Sequence, residues 1–212
     1  DADAMVTGNI RHYAASVEKL KHVCDARKGE PIFGMTMIIF KGRTVLVADT
    51  NVEDFPSSER LVEISKSCVR VSKLFGFDPK VAFLSHSTFG KPISRNTKHV
   101  RDAIEILKEE KVDFDFDGEM QPDVALNPIY QDIYPFSKIV GKANILIMPA
   151  LHSAAISTKL MKSFGGAKLI GPLLIGLDLP IEVAPLRSST SDILNLASIA
   201  AYSADVIDYN KD

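Results

Sequence analysis

Residues 80–90 read KVAFLSHSTFG, and this stretch decides the fold. The apolar run Val81, Ala82, Phe83, Leu84 has the length of a strand and no polar alternation, which is the pattern of a strand buried on both faces. It ends abruptly in the polar loop Ser85, His86, Ser87, Thr88, Phe89, Gly90. Strands of this kind belong to parallel sheets covered by helices, and such sheets collect ligands at the carboxyl ends of their strands.

Outward from that strand, the flanking segments have helical spacing. Asp54-Phe55-Pro56-Ser57 opens a helix with Leu61, Ile64, Cys68, Val71 and Phe75 on one face, closed by Gly76. A second helix is predicted over 94–111, with Val100, Ala103, Ile104 and Leu107 inward, followed by a strand over 112–117 that enters Asp117-Gly118. Pro149 ends a buried strand over 143–148, and a helix over 153–164 stops at Gly165-Gly166. Extended pieces cover 169–177 and 179–183, and 192–209 is the last helix. Towards the start, 33–40 and 43–48 read as a hairpin turning at Lys41-Gly42. Residues 3–21 carry Ile10, Tyr13, Ala14, Val17 and Leu20 at helical spacing. The alternation predicts a three-layer α/β/α fold with a largely parallel sheet plus an antiparallel hairpin. The loops 85–90, 117–118 and 149–153 are then expected around one cleft.

Those loops hold the candidate ligand groups. Ser85, Ser87, Thr88 and Gly90 can wrap a phosphate or a thioester carbonyl, although the same residues also suit a plain strand-to-helix connection. Asp117, Pro149 and Ser153 stand at the other strand ends, and Gly171-Pro172 forms a turn that makes neither GxGxxG nor a Walker loop. Asp113, Asp115, Asp117 and Glu119 alternate along an extended segment, and a solvent-facing edge accounts for them more simply than a metal site. Residues 176–192, GLDLPIEVAPLRSSTSD, bring an extended segment into a helix start suited to an anion. Ser189 to Asp192 fits a capping box there, so Asp192 has both a capping and a ligand-facing reading.

The whole composition narrows the function classes. In 212 residues, 46% are apolar, which is enough for a sizeable core, while a net charge of −2 supplies no basic field for nucleic acid. No apolar run reaches membrane-spanning length. Cys24 and Cys68 are far apart and suggest neither a disulfide framework nor a thiolate metal site, so a reducing, cytoplasmic setting is expected. The opening DADAMVTG is no signal peptide, and its turn already in progress predicts a fragment of a longer chain.

Seven segments in order carry a resemblance over nearly the whole chain: ADAMVTG, ADTNVEDFPSSERLVEIS, LSHSTFG, DFDGEMQPDVAL, GKANILIMPALHSAAI, IGPLLIGLDLPIEV and SDILNLASIAA. Together they resemble the later two-thirds of a phosphate acetyltransferase, which moves an acetyl group between coenzyme A and phosphate. The resemblance implies a two-lobed, isocitrate/isopropylmalate dehydrogenase-like architecture and a homo-oligomer, a dimer or higher. Residues 1–212 would then be the C-terminal two-thirds of such a domain. SHSTFG, DGEM, NILIMP and Arg11-His12-Tyr13 lean towards the version found at the C-terminus of bacterial NADP-dependent malic enzymes, where the domain is regulatory and responds to acetyl-CoA. That version implies acetyl-CoA or a related acyl-CoA as ligand here, with Ser85, Ser87, Thr88, Gly90, Asp117, Pro149, Ser153, Gly171, Pro172 and Asp192 around it. It implies no cofactor in this domain, with NADP and a divalent metal, Mg or Mn, in an upstream malic-enzyme domain.

Laid over the transferase pattern G-L-x-x-P-V-N-D-L-S-R-G, the serine falls on Pro185 and the arginine on Leu186, and only a later aspartate survives as Asp192. A second transferase arginine falls on Glu18. The pattern F-P-D-L-N-S-G-N becomes Met148-Pro149-Ala150-Leu151-His152-Ser153-Ala154-Ala155. The expectation is a domain without catalytic residues. The alternative is an active phosphate acetyl- or butyryltransferase that uses Arg187 and His152 instead, and a third is a pure oligomerisation domain.

Overall fold

A computed structural model describes residues 2–49 and 52–209. Thr50 and Asn51 of the ADTN segment lie outside the described residues. The elements run β1 (Met5–Gly8), α1 (Tyr13–Leu20), β2 (Phe33–Phe40), β3 (Arg43–Ala48), α2 (Ser58–Leu74) and β4 (Lys80–Leu84). They continue with α3 (Lys98–Glu110), β5 (Asp115–Met120), α4 (Pro122–Leu126), β6 (Ile145–Ile147), α5 (Leu151–Gly165), β7 (Lys168–Ile175), β8 (Ile181–Ala184) and α6 (Thr190–Tyr209).

Six strands form one sheet in the order β5-β4-β6-β3-β2-β7, and β1 pairs with β8 separately. The pairs β5/β4, β4/β6 and β6/β3 are parallel, while the hairpin β2/β3 and its outer neighbour β7 are antiparallel. The apolar run of β4 shows why it has no polar alternation. Val81 and Phe83 enter one core with Leu46, Ile145 and Ile147, beneath Leu61, Ile64 and Cys68 of α2 and Val100, Ala103 and Leu107 of α3. Ala82 and Leu84 enter another, with Val47 and Leu146, beneath Ala125 of α4 and Ala154 of α5. A strand between two helical layers needs apolar side chains on both faces. The three-layer arrangement thus rests on β4 and its neighbours.

Local signals set several boundaries. The Ser57 side chain accepts from the Arg60 amide at 3.2 Å and starts α2. Gly166, at φ 63°, caps α5 in the left-handed conformation. Ser189 and Asp192 close a reciprocal capping box, with Asp192 Oδ2 accepting from the Ser189 amide at 3.0 Å and Ser189 Oγ accepting from the Asp192 amide at 3.2 Å.

The start of the chain departs from the expected helix. The helix predicted over 3–21 begins only at Tyr13, because Met5–Gly8 is drawn into parallel pairing with β8, Met5 opposite Ile181 and Gly8 opposite Ala184. Ile10 and Ala14 are exposed, and Val17 and Leu20 pack with Leu174, Leu177, Ile181 and Val183. The strand expected over 112–117 lies at 115–120. Asp115 is exposed whereas Asp117 and Glu119 are buried, so the four carboxylates do not share a solvent edge. Short helical turns at 122–126 and 128–132 fill the proline-punctuated segment.

Gly176 shows how closely the layers approach. At φ +95°, an added Cβ would stand 1.9 Å from the Pro31 carbonyl oxygen. Left-handed strain of about 1–2 kcal/mol and overpacking of about 1–3 kcal/mol give an expected loss of about 2–5 kcal/mol for Gly176→Ala, measurable by urea unfolding.

Candidate functional site

The carboxyl ends of β4, β5 and β6 lie side by side, as a parallel arrangement demands, and Ser85, Ser87, Thr88, Gly90, Pro149 and Ser153 stand there, whereas Asp117 lies mid-strand in β5, opposite Ala82. Glu119, 1% exposed, is the hub: its Oε1 accepts from Ser87 Oγ at 2.7 Å, the Gly90 amide at 3.2 Å and Arg101 Nη1 at 3.3 Å. Ser85 and Ser87 hydroxyls share a hydrogen bond at 3.1 Å, and the Thr88 hydroxyl accepts from the Gln121 amide at 3.1 Å. Asp117 accepts from the Gly118 amide at 2.9 Å and the Lys138 amide at 2.7 Å. The Pro149 carbonyl bonds His99 Nε2 at 2.9 Å, and the Ser153 hydroxyl donates to the Ala150 carbonyl at 2.6 Å. A buried carboxylate must be paired to be tolerated: the loop and Arg101 of α3 pair Oε1, while Oε2 is buried without a hydrogen-bond partner. Glu119 is one of the four alternating carboxylates, and nothing local in the sequence signals its burial. His86 is exposed and offers only its backbone carbonyl, to Gln121 Nε2 at 2.7 Å.

Gly171, Pro172 and Asp192 lie elsewhere, in a cleft of about 390 Å³ between α5, β7, the loop after β8 and the first turns of α1 and α6. The sheet order explains the separation. Four strand steps lie between β4 and β7, roughly 19 Å at the usual interstrand spacing. Gly171, Pro172 and Asp192 therefore lie apart from the loops after β4 and β6 rather than in one cleft with them, because β7 joins the sheet at the edge opposite β5.

The cleft is lined by His12, Lys159, Lys162 and Arg187, with Asp192 as its single carboxylate. Arg187 sits at φ 62° with its amide donating to the Asn9 carbonyl at 3.2 Å, which fixes the loop after β8 against the end of β1. Hydrogen bonds from Ser189 hold the Asp192 carboxyl below the usual range, with Lys162 and Lys168 adding to the effect. Pro185 and Leu186 occupy the cleft wall beside Arg187, and the Asn195 side-chain nitrogen is buried there with no hydrogen-bond partner. Tyr13 reaches the Pro172 carbonyl at 3.5 Å, and burial raises its hydroxyl well above the phenol range, with Glu182 and Asp49 contributing.

Such a cleft suits an anion with several charges. It offers cations from α5 and from the loop after β8, an imidazole and an unused amide donor, but it holds no hydroxyl nucleophile at 185 and no cation at 186. Glu18 is exposed on α1 and His152 packs against Phe55 with the rings tilted and their centroids 5.7 Å apart; neither lines the cleft. The signal for Lys159 and Lys162 was present in the sequence as a three-residue spacing on one helix, but nothing local showed that β7 and α6 would close over it.

Residues 1–201 match the family described as "Phosphate acetyl/butaryl transferase". An NADP-dependent malic enzyme of Rhizobium meliloti is 47% identical over 204 residues, covering 96% of this chain and 27% of that protein. The phosphate acetyltransferase of Bacillus subtilis is 32% identical over 205 residues, covering 96% of this chain and 64% of that protein. A phosphotransacetylase crystal structure from Streptococcus pyogenes superimposes with a TM-score of 0.89 at 32% identity, covering 97% of this chain and 64% of the other. The chain thus spans about a quarter of the malic enzyme and somewhat under two-thirds of the two acetyltransferases.

Proposed function

Because the chain belongs to the phosphate acetyl/butyryl transferase family, we propose that it is a regulatory member of it: a catalytically defective domain of an NADP-dependent malic enzyme that binds acetyl-CoA or a related acyl-CoA. The observation that carries this reading is the pairing, in one cleft, of Pro185 and Leu186 with Arg187, Lys159, Lys162 and His12. Groups for holding a polyphosphate are present where groups for acyl transfer are not. In this reading the remainder of the polypeptide oxidatively decarboxylates malate to pyruvate, and NADP and Mg or Mn are held outside this domain. Among the described residues, no group of three or more His, Cys, Asp or Glu side chains could hold a metal ion.

Regulation then follows from preference. A ligand shifts an equilibrium only by binding one state better than another, and a cytoplasmic homo-oligomer with two arrangements supplies the states. Ser85, Ser87, Thr88, Gly90, Asp117, Pro149 and Ser153 keep the sheet's carboxyl end in shape in this reading, and Gly171, Pro172 and Asp192 contact the ligand. The isocitrate/isopropylmalate dehydrogenase-like, two-lobed architecture is part of the same proposal.

Calorimetry on the full-length protein tests it. Acetyl-CoA is expected to bind, and the double variant Lys162→Ala/Arg187→Ala is expected to bind at least roughly 10–100-fold more weakly, the scale of losing one charged hydrogen bond of the two. No heat of binding to the wild-type protein would refute the ligand assignment. A second reading, an active phosphate acetyl- or butyryltransferase, draws on Arg187 in the cleft, but its other proposed group, His152, stands outside the lining.

A further inference from the structure

Glu182 is a carboxyl that the cleft does not use. It lies on β8, 4% exposed, and its Oε2 accepts from the Leu174 amide at 3.0 Å. Beyond that single bond it faces a cavity of about 70 Å³ walled by Leu173, Ile175 and Leu177, by Val71 and Phe75 of α2, and by Ile199 and Tyr202 of α6. The outer wall of this cavity is a seam between two helices. Tyr202 closes it, its hydroxyl donating to the Leu74 carbonyl at 2.9 Å and its ring stacked on Phe75 at 5.9 Å.

The charged and titratable groups around Glu182 do not compensate an ionised carboxyl. Arg27 and Arg70 line the cavity but are engaged with Glu30. Tyr13 of α1 is itself raised, with Glu182 and Asp49 both contributing to that rise. Burial accordingly pushes the Glu182 carboxyl up to about 8, with the Leu174 amide pulling it back in part.

We propose that Glu182 is a proton-operated latch for α6: protonated, it lets α6 seat over β7 and β8, and its ionisation drives α6 to lift and admit water to the cavity. The helix is well placed to transmit this, because its first turn carries Asp192 in the cleft and its middle carries Ile199 and Tyr202 over the carboxyl. Wetting the carboxyl returns its acidity to the ordinary range near 4.5, so each opening releases one proton. The opening constant therefore rises roughly tenfold per pH unit as pH increases from about 5 to 8, and becomes flat above about 8. The device does not depend on which ligand fills the cleft.

Amide hydrogen exchange of the full-length protein across pH 5 to 9, corrected for the intrinsic exchange rate, reads this directly. Protection of the α6 amides is expected to fall roughly tenfold per unit to about pH 8 and then level off, at opening constants larger than those of the β4 amides, which report global unfolding. In Glu182→Gln, which keeps an acceptor for the Leu174 amide, the α6 slope is expected to vanish. A flat wild-type profile, an unchanged slope in the variant, or α6 protection equal to that of β4 would each overturn the latch. The wild-type comparison of α6 with β4 stands even where the variant does not fold.

Discussion

Full-length protein carrying this domain is expected to form acetyl phosphate from acetyl-CoA and phosphate at least ~10²–10³-fold more slowly than the Bacillus subtilis phosphate acetyltransferase. Acyl transfer to phosphate brings a dianion against a thioester and develops charge on the carbonyl oxygen, so it needs aimed donors and cations. Removing one such donor commonly costs about 10²–10³ in rate, roughly 3–4 kcal/mol of barrier. Pro185 supplies neither a hydroxyl nor an N–H, and Leu186 supplies an alkyl chain, in a wall where the transferase pattern has serine and arginine. The neighbouring Arg187 lends charge to the cleft but reaches it from a different backbone position, with φ at 62°. Trapping acetyl phosphate as the hydroxamate measures the rate. A value within tenfold of the transferase would mean that Arg187 and its neighbours have taken over the work, and the defective-domain reading would fail.

Phe83→Ala is expected to destabilise the domain by about 3–5 kcal/mol. Phe83 has no exposed surface and sits in the middle of the sheet, packed among residues of β3, β6, α2 and α3. Strands hydrogen-bonded on both sides and covered by helices above and below have little freedom to collapse into a vacated space, which places the cost at the upper end for a large-to-small change. For a chain of this size that corresponds to a melting temperature lower by roughly 6–20 °C, to be read by calorimetry alongside denaturant unfolding. The same change at exposed Phe55 or Phe164 is expected to cost much less, since neither ring is enclosed.

The central part of the molecule was legible for the reason that makes Phe83 costly. An apolar run with no alternation can only be a strand covered twice, and α2, α3 and the β2/β3 hairpin carry periodicities that point to their own inner faces. Caps were legible too, since Ser57, Gly166 and the Ser189–Asp192 box act on backbone groups within three residues or so. β1 was not. Met5–Gly8 has no pattern that distinguishes it from the first turn of a helix, and it becomes a strand only because β8, more than 170 residues later, presents an edge to it.

The candidate site divides along the same line. Residue types suited to an anion were visible at Ser85–Gly90 and around Asp192, as were the losses at 185 and 186. That Ser87 serves a buried Glu119, and that Lys159, Lys162, His12 and Arg187 meet in one cleft, depends on which strand neighbours which. Glu182 is the sharpest case: in IEVA it is the polar member of a short alternation, and alternation alone sends it to solvent. The sequence by itself determined the layers, the caps and the departures from the transferase pattern at Pro185 and Leu186, because periodicity and side-chain chemistry are local. Only the tertiary structure decided which carboxyls are buried and which cations share a cleft, because burial is set by chain segments brought together from opposite ends of the protein.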